Sequence, residues 1–443
     1  MNVSALYGIR WIAKSTSDSF GLGLGAIPMW VIFMLIFFIP QALMCAELAS
    51  AYPTDGGLND WVKIAFGTKY GFLVSWMHWT ALIFWYASFL TFLAINISYM
   101  IGKPELADNK PFVLIMSLVV IWGLSFVSMR GMKLGKYFTS VGAFGSVIPT
   151  IFLIGMAILA VVVLKAAPSA SEYTVSTLTP KMNMNSLVAI SGITFAYTGA
   201  EFTANFVSDM KNPQKDYPRA IMIAVFMTML LPTSEIFAYT GTLDALAKAS
   251  ELLGVPQVLV QILAFGIALS VLGALVLYIV QPVKMLFGYS EPGIFSDKFM
   301  KKNQYDVPEK AILFQAVLIT VLLAGVNLFS AVETIYNVLV TMTALTSLFP
   351  YVLLFAAYIK IKKEKEDKPE LYQMTTNKKW GCFLGYSELV ICGIAIVCSA
   401  LPVMSTTGEN IIYEIELIGG ALFVLLSGLW LWKRSGLENK MGT

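Results

Sequence analysis

The residues in this chain whose chemistry stands out are a carboxylate and a glycine in the middle of an apolar stretch. Residues Ile193–Asp209 are apolar enough to span a membrane, yet their centre carries Thr198, Gly199 and Glu201. A charged side chain at the centre of a bilayer costs at least about 2.5–3.5 kcal/mol, so Glu201 needs a polar partner. A glycine inside a helix is about 1 kcal/mol less favourable than alanine. Together they predict a helix interrupted in mid-membrane, with its freed backbone groups directed at something polar.

Composition places the whole chain in a membrane. Of its 443 residues, 57% are hydrophobic and only 13% are charged, whereas soluble domains carry about 25% charged residues. The basic residues are scattered among loops, so nucleic-acid binding has no support. One histidine and four cysteines without CxxC spacing provide no ligand set for a metalloenzyme. We therefore interpret the cysteines as small buried apolar residues and expect no metal and no cofactor.

Apolar runs of about 20 residues, each long enough to cross roughly 30 Å of hydrocarbon, recur along the chain. They predict eleven full spans in one polytopic all-α domain. The predicted spans are 26–50, 70–101, 111–129, 137–165, 186–208, 217–242, 256–281, 309–329, 332–359, 379–401 and 411–432.

Charge in the loops predicts the orientation. Most of the 30 Lys and Arg residues fall on the face that holds the loop after the first full span, which makes that face and the C-terminus cytoplasmic. The run Lys360–Lys368 on this face is interpreted as a solvated mixed-charge loop, with contact to anionic lipid as the alternative. Tryptophans near the ends of spans suit the interfacial belt of a membrane protein. They are Trp30, Trp61, Trp380, Trp430 and Trp432.

Three local motifs follow one another in the sequence. The first runs from Ala46 to Pro53 with Glu47 near its start, followed by Gly56, Gly57 and Trp61. The second is Phe195–Glu201, and the third is Asn212–Pro213 with Asp216–Ala220, a turn expected to restart a helix at Pro218. Together these motifs resemble the amino acid–polyamine–organocation transporter superfamily over nearly the whole chain.

Within that superfamily the chain looks most like the glutamate/γ-aminobutyrate antiporter branch. The second motif continues into Asn205 and Asp209–Met210, and a later loop carries Pro282, Lys284, Tyr289 and Val307–Pro308, as in that branch. The tail Lys433–Thr443 is too short for the plug that some members carry.

The resemblance implies a LeuT-like five-plus-five inverted repeat with two broken helices that cross in mid-membrane. It assigns residues 1–165 to the first repeat, 186–359 to the second and 379–432 to two additional helices. The breaks would lie at Ser4–Trp11 and Tyr197–Glu201. The resemblance also implies exchange of an amino acid for its decarboxylated product.

The two breaks supply the candidate substrate-binding residues. They are Tyr7, Gly8, Arg10, Trp11, Tyr197, Thr198 and Gly199. Backbone amides and carbonyls there are expected to bind the α-carboxylate and α-amino groups of an amino acid. The alternative is that Gly8 and Gly199 only permit close helix packing.

Two charged residues at the breaks have alternative roles. Glu201 either binds the substrate ammonium group or accepts hydrogen bonds from the interrupted backbone and keeps the break open, a structural or gating role. Arg10 either holds a substrate carboxylate through two parallel hydrogen bonds or pairs with an acidic residue such as Glu201.

Three further titratable residues lie within predicted spans. His78, expected near the cytoplasmic end of its span, could sense pH, or it could be a hydrogen-bonded structural residue. Glu235 and Glu388 are candidates for proton coupling or gating, and each could simply pair locally.

These observations predict a secondary amino acid transporter of the plasma or inner membrane that works by alternating access. Antiport of a glutamate-like amino acid against a related amine or amino acid is the first hypothesis. Proton-coupled symport of an amino acid or polyamine is the alternative, and an integral membrane enzyme or a channel is more remote. The partners are small amino acids or amines and the lipid bilayer; the sequence leaves the oligomeric state open.

The first residues, Met1–Lys14, are apolar but too short to span a membrane. Eleven spans with a cytoplasmic C-terminus would place the N-terminus outside the cell, whereas the resemblance calls for twelve spans. We therefore expect the first helix to be truncated here, with roughly 15–25 further residues upstream.

Overall fold

The computed structural model is helical throughout its described part, where it contains no β-strand. It describes residues 25–54, 56–130, 174–180, 184–201, 204, 210–228, 257–288, 290–329, 332–364, 372–401 and 407–437. The α-helices are α1 (Ala26–Phe33), α2 (Ile39–Ala51), α3 (Leu58–Phe66), α4 (Thr68–Met100), α5 (Lys110–Ser128), α6 (Val175–Leu178), α7 (Met184–Ala196), α8 (Pro213–Thr228), α9 (Gln257–Val283), α10 (Asp297–Met300), α11 (Glu309–Phe329), α12 (Val332–Glu364), α13 (Lys378–Ser399) and α14 (Thr407–Ser435).

Within the described residues, seven helical segments are long and apolar enough to cross a membrane. They include α4, α5, α9 and α13, whose bounds lie within a few residues of the predicted spans. The predicted span 137–165 and the second half of the span 217–242 lie outside the described residues. The total of eleven spans and the five-plus-five repeat therefore stay predictions.

The first motif forms a bent connection between two spans. A π-helical turn at Met34–Phe38 joins α1 to α2, and α2 ends at Ala51, just before Pro53. Gly57 has φ +49° and Gly67 has φ +92°, values that L-residues with a side chain rarely adopt. These two glycines bracket the short helix α3, so the chain turns on Gly57 between the end of α2 and the start of α3.

The third motif starts its helix earlier than the sequence predicts. Helix α8 begins at Pro213, and Pro218 lies inside it. Proline is favoured at a first helical position because that residue needs no N–H partner. Pro218 cannot donate to the Gln214 carbonyl one turn back, and the Ser50 hydroxyl of α2 donates to that carbonyl instead, at 3.2 Å. The helix can therefore run through Pro218, and the prediction of a start there is wrong.

Apolar packing divides most of the described helices between two cores. We call the first the α4–α9 core; it joins α4, α5, α9 and α11. We call the second the α2–α12 core; it joins α1, α2, α3, α7 and α8 to the C-terminal half of α12 and to α13. The interrupted stretch after α7 belongs to the α2–α12 core.

The interfacial interpretation of the tryptophans is only partly correct. Trp380 and Trp430 are exposed, as residues of a belt would be. Trp30, Trp61 and Trp432 are buried within the two cores, so for these three residues the prediction is wrong. Their large rings fill space between helices, where burial of aromatic area stabilises the packing.

Candidate functional site

Helix α7 stops at Ala196, as the sequence predicts, and the chain then leaves helical geometry over Tyr197–Glu201. Gly199 has φ +112°, a region that is open to glycine and strained for other residues. The Thr198 amide and hydroxyl both donate to the Phe195 carbonyl, at 3.0 and 2.6 Å. Local hydrogen bonds thus turn the chain sharply at the end of the helix, inside the protein.

Glu201 and Tyr351 hold the Gly199 amide in this turn. The Gly199 N–H donates to the Tyr351 hydroxyl at 2.7 Å and to the Glu201 Oε2 atom at 3.2 Å. The Tyr351 hydroxyl in turn donates to the Glu201 Oε1 atom. Glu201 is 2% exposed, so these contacts supply polar partners for a carboxylate at membrane depth. The geometry matches the backbone-holding interpretation of Glu201; its role in transport stays a prediction.

Two more tyrosines connect the break to neighbouring helices by hydrogen bonds. The Tyr217 hydroxyl of α8 donates to the Ala200 carbonyl at 3.0 Å, and the Tyr197 hydroxyl donates to the Trp30 carbonyl at 3.0 Å. The Tyr197 ring also stacks on Phe38 with 5.3 Å between ring centroids. Tyr197, which the sequence places in the pocket, therefore points into the α2–α12 core and does not line the cavity described next.

A cavity opens beside the break. The empty space between its walls is at most about 430 Å³, a figure that includes the part open to solvent. The described lining comes from α4, from the end of α7 and the break, and from α9 and α12. The lining residues are His78, Leu82, Trp85, Phe195, Ala196, Thr198, Gly199, Tyr278, Ser347 and Tyr351.

The described wall of this cavity is mostly aromatic and small. Its polar groups are hydroxyls, an imidazole, the Trp85 indole and the main chain of the break, and it contains no carboxylate, lysine or arginine. Such a wall suits a small ligand whose charged groups are bound by the backbone of the break.

The structure brings some predicted site residues together and leaves others apart. Thr198, Gly199 and His78 meet in the cavity wall. His78 lies ten residues into α4, about 15 Å from its first residue, and its predicted depth in the membrane stays a prediction. Glu388 is fully buried in the middle of α13 and lies away from the cavity; neither of its carboxylate oxygens has a hydrogen-bond partner within the described part of the chain.

Five predicted residues lie outside the described residues, so their roles stay predictions. They are Tyr7, Gly8, Arg10, Trp11 and Glu235.

Among the residues of the break and the cavity wall, the sequence did not indicate a role for Tyr217, Tyr278 or Tyr351. Tyr217 lies within the third motif, and this was the one feature of the sequence that could have indicated a role for it. Tyr351 follows Pro350 in a long apolar helix, where the sequence offers no sign that its hydroxyl reaches a residue 150 positions away.

The described residues contain no cluster of three or more His, Cys, Asp or Glu side chains that could hold a metal ion. All four cysteines are buried thiols, as the sequence predicts.

Comparison with known proteins connects this geometry to a family. A relative in Legionella pneumophila, an uncharacterized transporter, is 29% identical over 97% of this chain and 94% of its own length. A probable agmatine/putrescine antiporter of Lactococcus lactis is 23% identical over 96% of this chain and 92% of its length. A glutamate/gamma-aminobutyrate antiporter of the same species is 24% identical over 82% of this chain and 74% of its length.

The family model described as amino acid permease matches residues 1–423. This match extends over nearly the whole chain and includes the interrupted helix and every described wall of the cavity. With its apolar spans, the chain is a multi-pass membrane protein that belongs to the amino acid permease family, within the amino acid–polyamine–organocation superfamily.

Proposed function

We propose that the protein is a secondary antiporter that exchanges a glutamate-like amino acid for a related amine or amino acid. The observation that carries this proposal is the interrupted helix at Gly199, which opens onto a cavity walled by three other helices. Two of the three relatives described above are antiporters by name, one for glutamate and γ-aminobutyrate and one for agmatine and putrescine. Substrates of these two kinds share an ammonium group, and the amino acids add a carboxylate.

The backbone of the break binds the substrate in this proposal. The C-terminal end of α7 carries partial negative charge and attracts an ammonium group. Amides in the break are the proposed donors to a carboxylate, and the Gly199 amide can serve only if it exchanges its present acceptors, the Tyr351 hydroxyl and the Glu201 carboxylate, for the substrate. Arg10 and the other residues of the N-terminal break would complete the site.

The boundary between the two cores suggests how access alternates. His78, Trp85 and Tyr278 come from α4 and α9, whereas the break and Tyr351 belong to the α2–α12 core. A rocking motion along this boundary would open the cavity, and α4 and α12, which pack closely against each other across it, would slide along one another. We place the C-terminus, with Lys433 and Arg434 at the end of α14, on the cytoplasmic side.

Proton-coupled symport is the alternative function. Two observations favour it: His78 lies in the cavity wall, and Glu388 is a fully buried carboxyl group within a span. Either group could carry a proton across the membrane with the substrate.

Counterflow in proteoliposomes tests the proposal. Purified protein is reconstituted with or without internal unlabelled L-glutamate or γ-aminobutyrate, and uptake of radiolabelled L-glutamate is measured. Exchange predicts that internal substrate accelerates uptake at least tenfold over empty vesicles, with no need for a proton gradient.

Uptake that needs only an inward proton gradient would support symport and contradict antiport. A radiolabelled panel of amino acids and amines replaces glutamate if glutamate is not carried. Vesicles without protein are the control for leakage.

A further inference from the structure

A second buried carboxylate lies at the end of α2, away from the cavity. The Glu47 carboxylate accepts from the Lys362 ammonium at 2.5 Å, from the Tyr358 hydroxyl at 3.0 Å and from the Met374 amide at 3.0 Å. The Glu47 side chain is 11% exposed and that of Lys362 is 5% exposed. A buried ion pair of this kind persists only when further hydrogen bonds satisfy both charges, and here they do.

The same cluster fixes the segment that precedes α13. We call residues 372–375 the strap. Lys362 donates a second hydrogen bond to the Thr375 carbonyl at 2.9 Å, and the Tyr372 amide donates to the Ser50 hydroxyl at 3.3 Å. Burial raises the pKa of the Tyr372 hydroxyl, and the nearby Glu47 carboxylate raises it further. The strap is therefore bound to the ends of α2 and α12 largely through its main chain.

Helix α12 carries this cluster and the break contact on one face. Tyr351, Phe355, Tyr358 and Lys362 are spaced by four, three and four residues, so they form a single stripe along the helix. The stripe makes two tyrosine–glutamate contacts, Tyr351 with Glu201 and Tyr358 with Glu47. Seven residues separate the two tyrosines, which corresponds to about 10 Å along the helix.

Pro350 sets the boundary of the unit that joins the two contacts. A proline inside a helix lacks the N–H for the bond to the preceding turn and marks the usual place for a bend. Tyr351 is the first residue after Pro350, so the half-helix from Tyr351 to Glu364 carries the break contact at one end and the Glu47 cluster at the other. A displacement of one end then moves the other.

We infer that Glu47 and Lys362 are positioning residues for the substrate site: they clamp the strap and the end of α12 to α2 and thereby hold Tyr351 against the break. The inference rests on the proposed function for its transport readout only. Release of the clamp would let the half-helix from Tyr351 to Glu364 shift and rotate about its own axis as one body, with Pro350 as the flexible joint, and would withdraw the Tyr351 hydroxyl from Gly199 and Glu201.

A double-mutant cycle tests the connection between the clamp and the break. Glu47→Gln/Lys362→Met removes both charges together, because either single change would leave one buried charge unpaired and could prevent folding. This pair variant is combined with Tyr351→Phe, and each protein is assayed for apparent affinity in L-glutamate exchange and for melting temperature in detergent. Residues this far apart are expected to act additively unless they are physically coupled.

We expect the pair variant to weaken the apparent affinity for L-glutamate at least fivefold in the wild-type background and less than twofold in the Tyr351→Phe background. The melting temperatures should be non-additive in the same way. Additive effects in both measurements, or a pair variant with normal affinity, would overturn the inference. A protein that exchanges no substrate would refute the proposed function, and the melting temperatures would still decide on the clamp.

A matched control comes from a half-buried ion pair of similar length. Lys63 and Glu291 lie 2.6 Å apart with side chains 41% and 35% exposed. Lys63→Met/Glu291→Gln removes the same two charges from a pair that lies outside the Glu47 cluster. This variant should exchange L-glutamate like the unmodified protein.

Labelling tests the strap without any transport assay. Met374→Cys is introduced alone and together with Glu47→Gln/Lys362→Met, and the purified proteins are treated with a maleimide. The native cysteines are buried, and mass spectrometry of peptides locates the label. The introduced thiol should react at least fivefold faster when the clamp is removed, and equal rates in the two proteins would show that the clamp does not hold the strap.

Discussion

The two cores differ in the kind of polar contact that joins their helices. Among the described residues of the α4–α9 core, the buried polar contacts between helices are between neutral groups. The Trp79 indole donates to the Gln315 amide oxygen at 2.8 Å, and the Tyr86 hydroxyl donates to the Tyr278 carbonyl. In the α2–α12 core two contacts use carboxylates, Glu201 at the break and Glu47 at the end of α2.

This difference indicates which of the two cores contains the element that changes conformation. A neutral hydrogen bond between packed helices contributes about 0.5–1.5 kcal/mol, and a buried neutral group that loses its partner costs about 1–3 kcal/mol. A buried carboxylate without its partners costs several kcal/mol, so it favours a few well-satisfied arrangements over all others. The buried carboxylates around the interrupted helix therefore favour two discrete conformations of the break. The neutral contacts of the α4–α9 core favour a single, permanent packing.

The largest effect is expected at Gly199. Gly199→Leu places a side chain at φ +112°, which costs of order 1–3 kcal/mol, and it also fills the cavity wall. We expect counterflow of the proposed substrate to fall at least tenfold while the protein still inserts and purifies in a normal yield. Normal uptake by the purified variant would remove Gly199 from the mechanism.

The next effect concerns the hydroxyl and the carboxylate that hold the break. Hydrogen bonds to charged groups contribute about 1.5–3 kcal/mol, so Tyr351→Phe and Glu201→Gln should each reduce exchange roughly tenfold or more. Both substitutions preserve shape, and melting temperatures check that the fold is intact. If either variant exchanges at the normal rate, the break does not depend on that contact.

A smaller effect on transport is expected in the α4–α9 core. Trp79→Phe together with Gln315→Leu removes both partners of a neutral hydrogen bond, which is the least costly way to lose it. We expect a melting temperature lower by a few degrees and an exchange rate per folded molecule within about twofold of normal. A tenfold loss of exchange at unchanged stability would contradict the contrast between the two cores.

Hydropathy, together with the residues that interrupt the apolar runs, predicts much of this fold. The ends of α4 and α13 fall within about three residues of the prediction, because an apolar run fixes a membrane helix without reference to its neighbours. The break at Gly199 was also predictable, since glycine and glutamate contradict the apolar run around them. What the sequence did not show is which residues meet across the bundle.

Lys362 illustrates this limit. The run from Lys360 onward was interpreted as a solvated loop, but α12 continues to Glu364 and Lys362 is buried against Glu47. Nothing in that charged run distinguishes Lys362 from its neighbours, because the partner is 315 positions away. The tyrosine contacts of Tyr217 and Tyr351 were missed for the same reason.

The smallest effect is expected for an exposed ion pair. It tests whether charge alone, without burial, explains the difference between the polar contacts of the two cores. Asp306, in the loop before α11, pairs with Lys284 at 2.7 Å and with Lys302 at 3.0 Å, but its side chain is 60% exposed. Partial burial acts to raise the pKa of Asp306, and the hydrogen bonds and charges of the two lysines outweigh it and lower the pKa. A carboxyl group with a depressed folded-state pKa stabilises the protein above its unfolded pKa, and this contribution is lost as the pH falls through the folded value.

Asp306→Asn measures this contribution with little change in the backbone, because asparagine tolerates the φ of +59° at this position. Solvent screens the exposed pair, so at neutral pH we expect the melting temperature to fall by only about 1 °C. The difference should vanish below the folded pKa of Asp306, where the wild-type carboxyl group is also neutral. Exchange should be unaffected at neutral pH. A large loss of exchange in this variant would mean that surface charges near the α4–α9 core also control transport, and burial would no longer separate the two classes of contact.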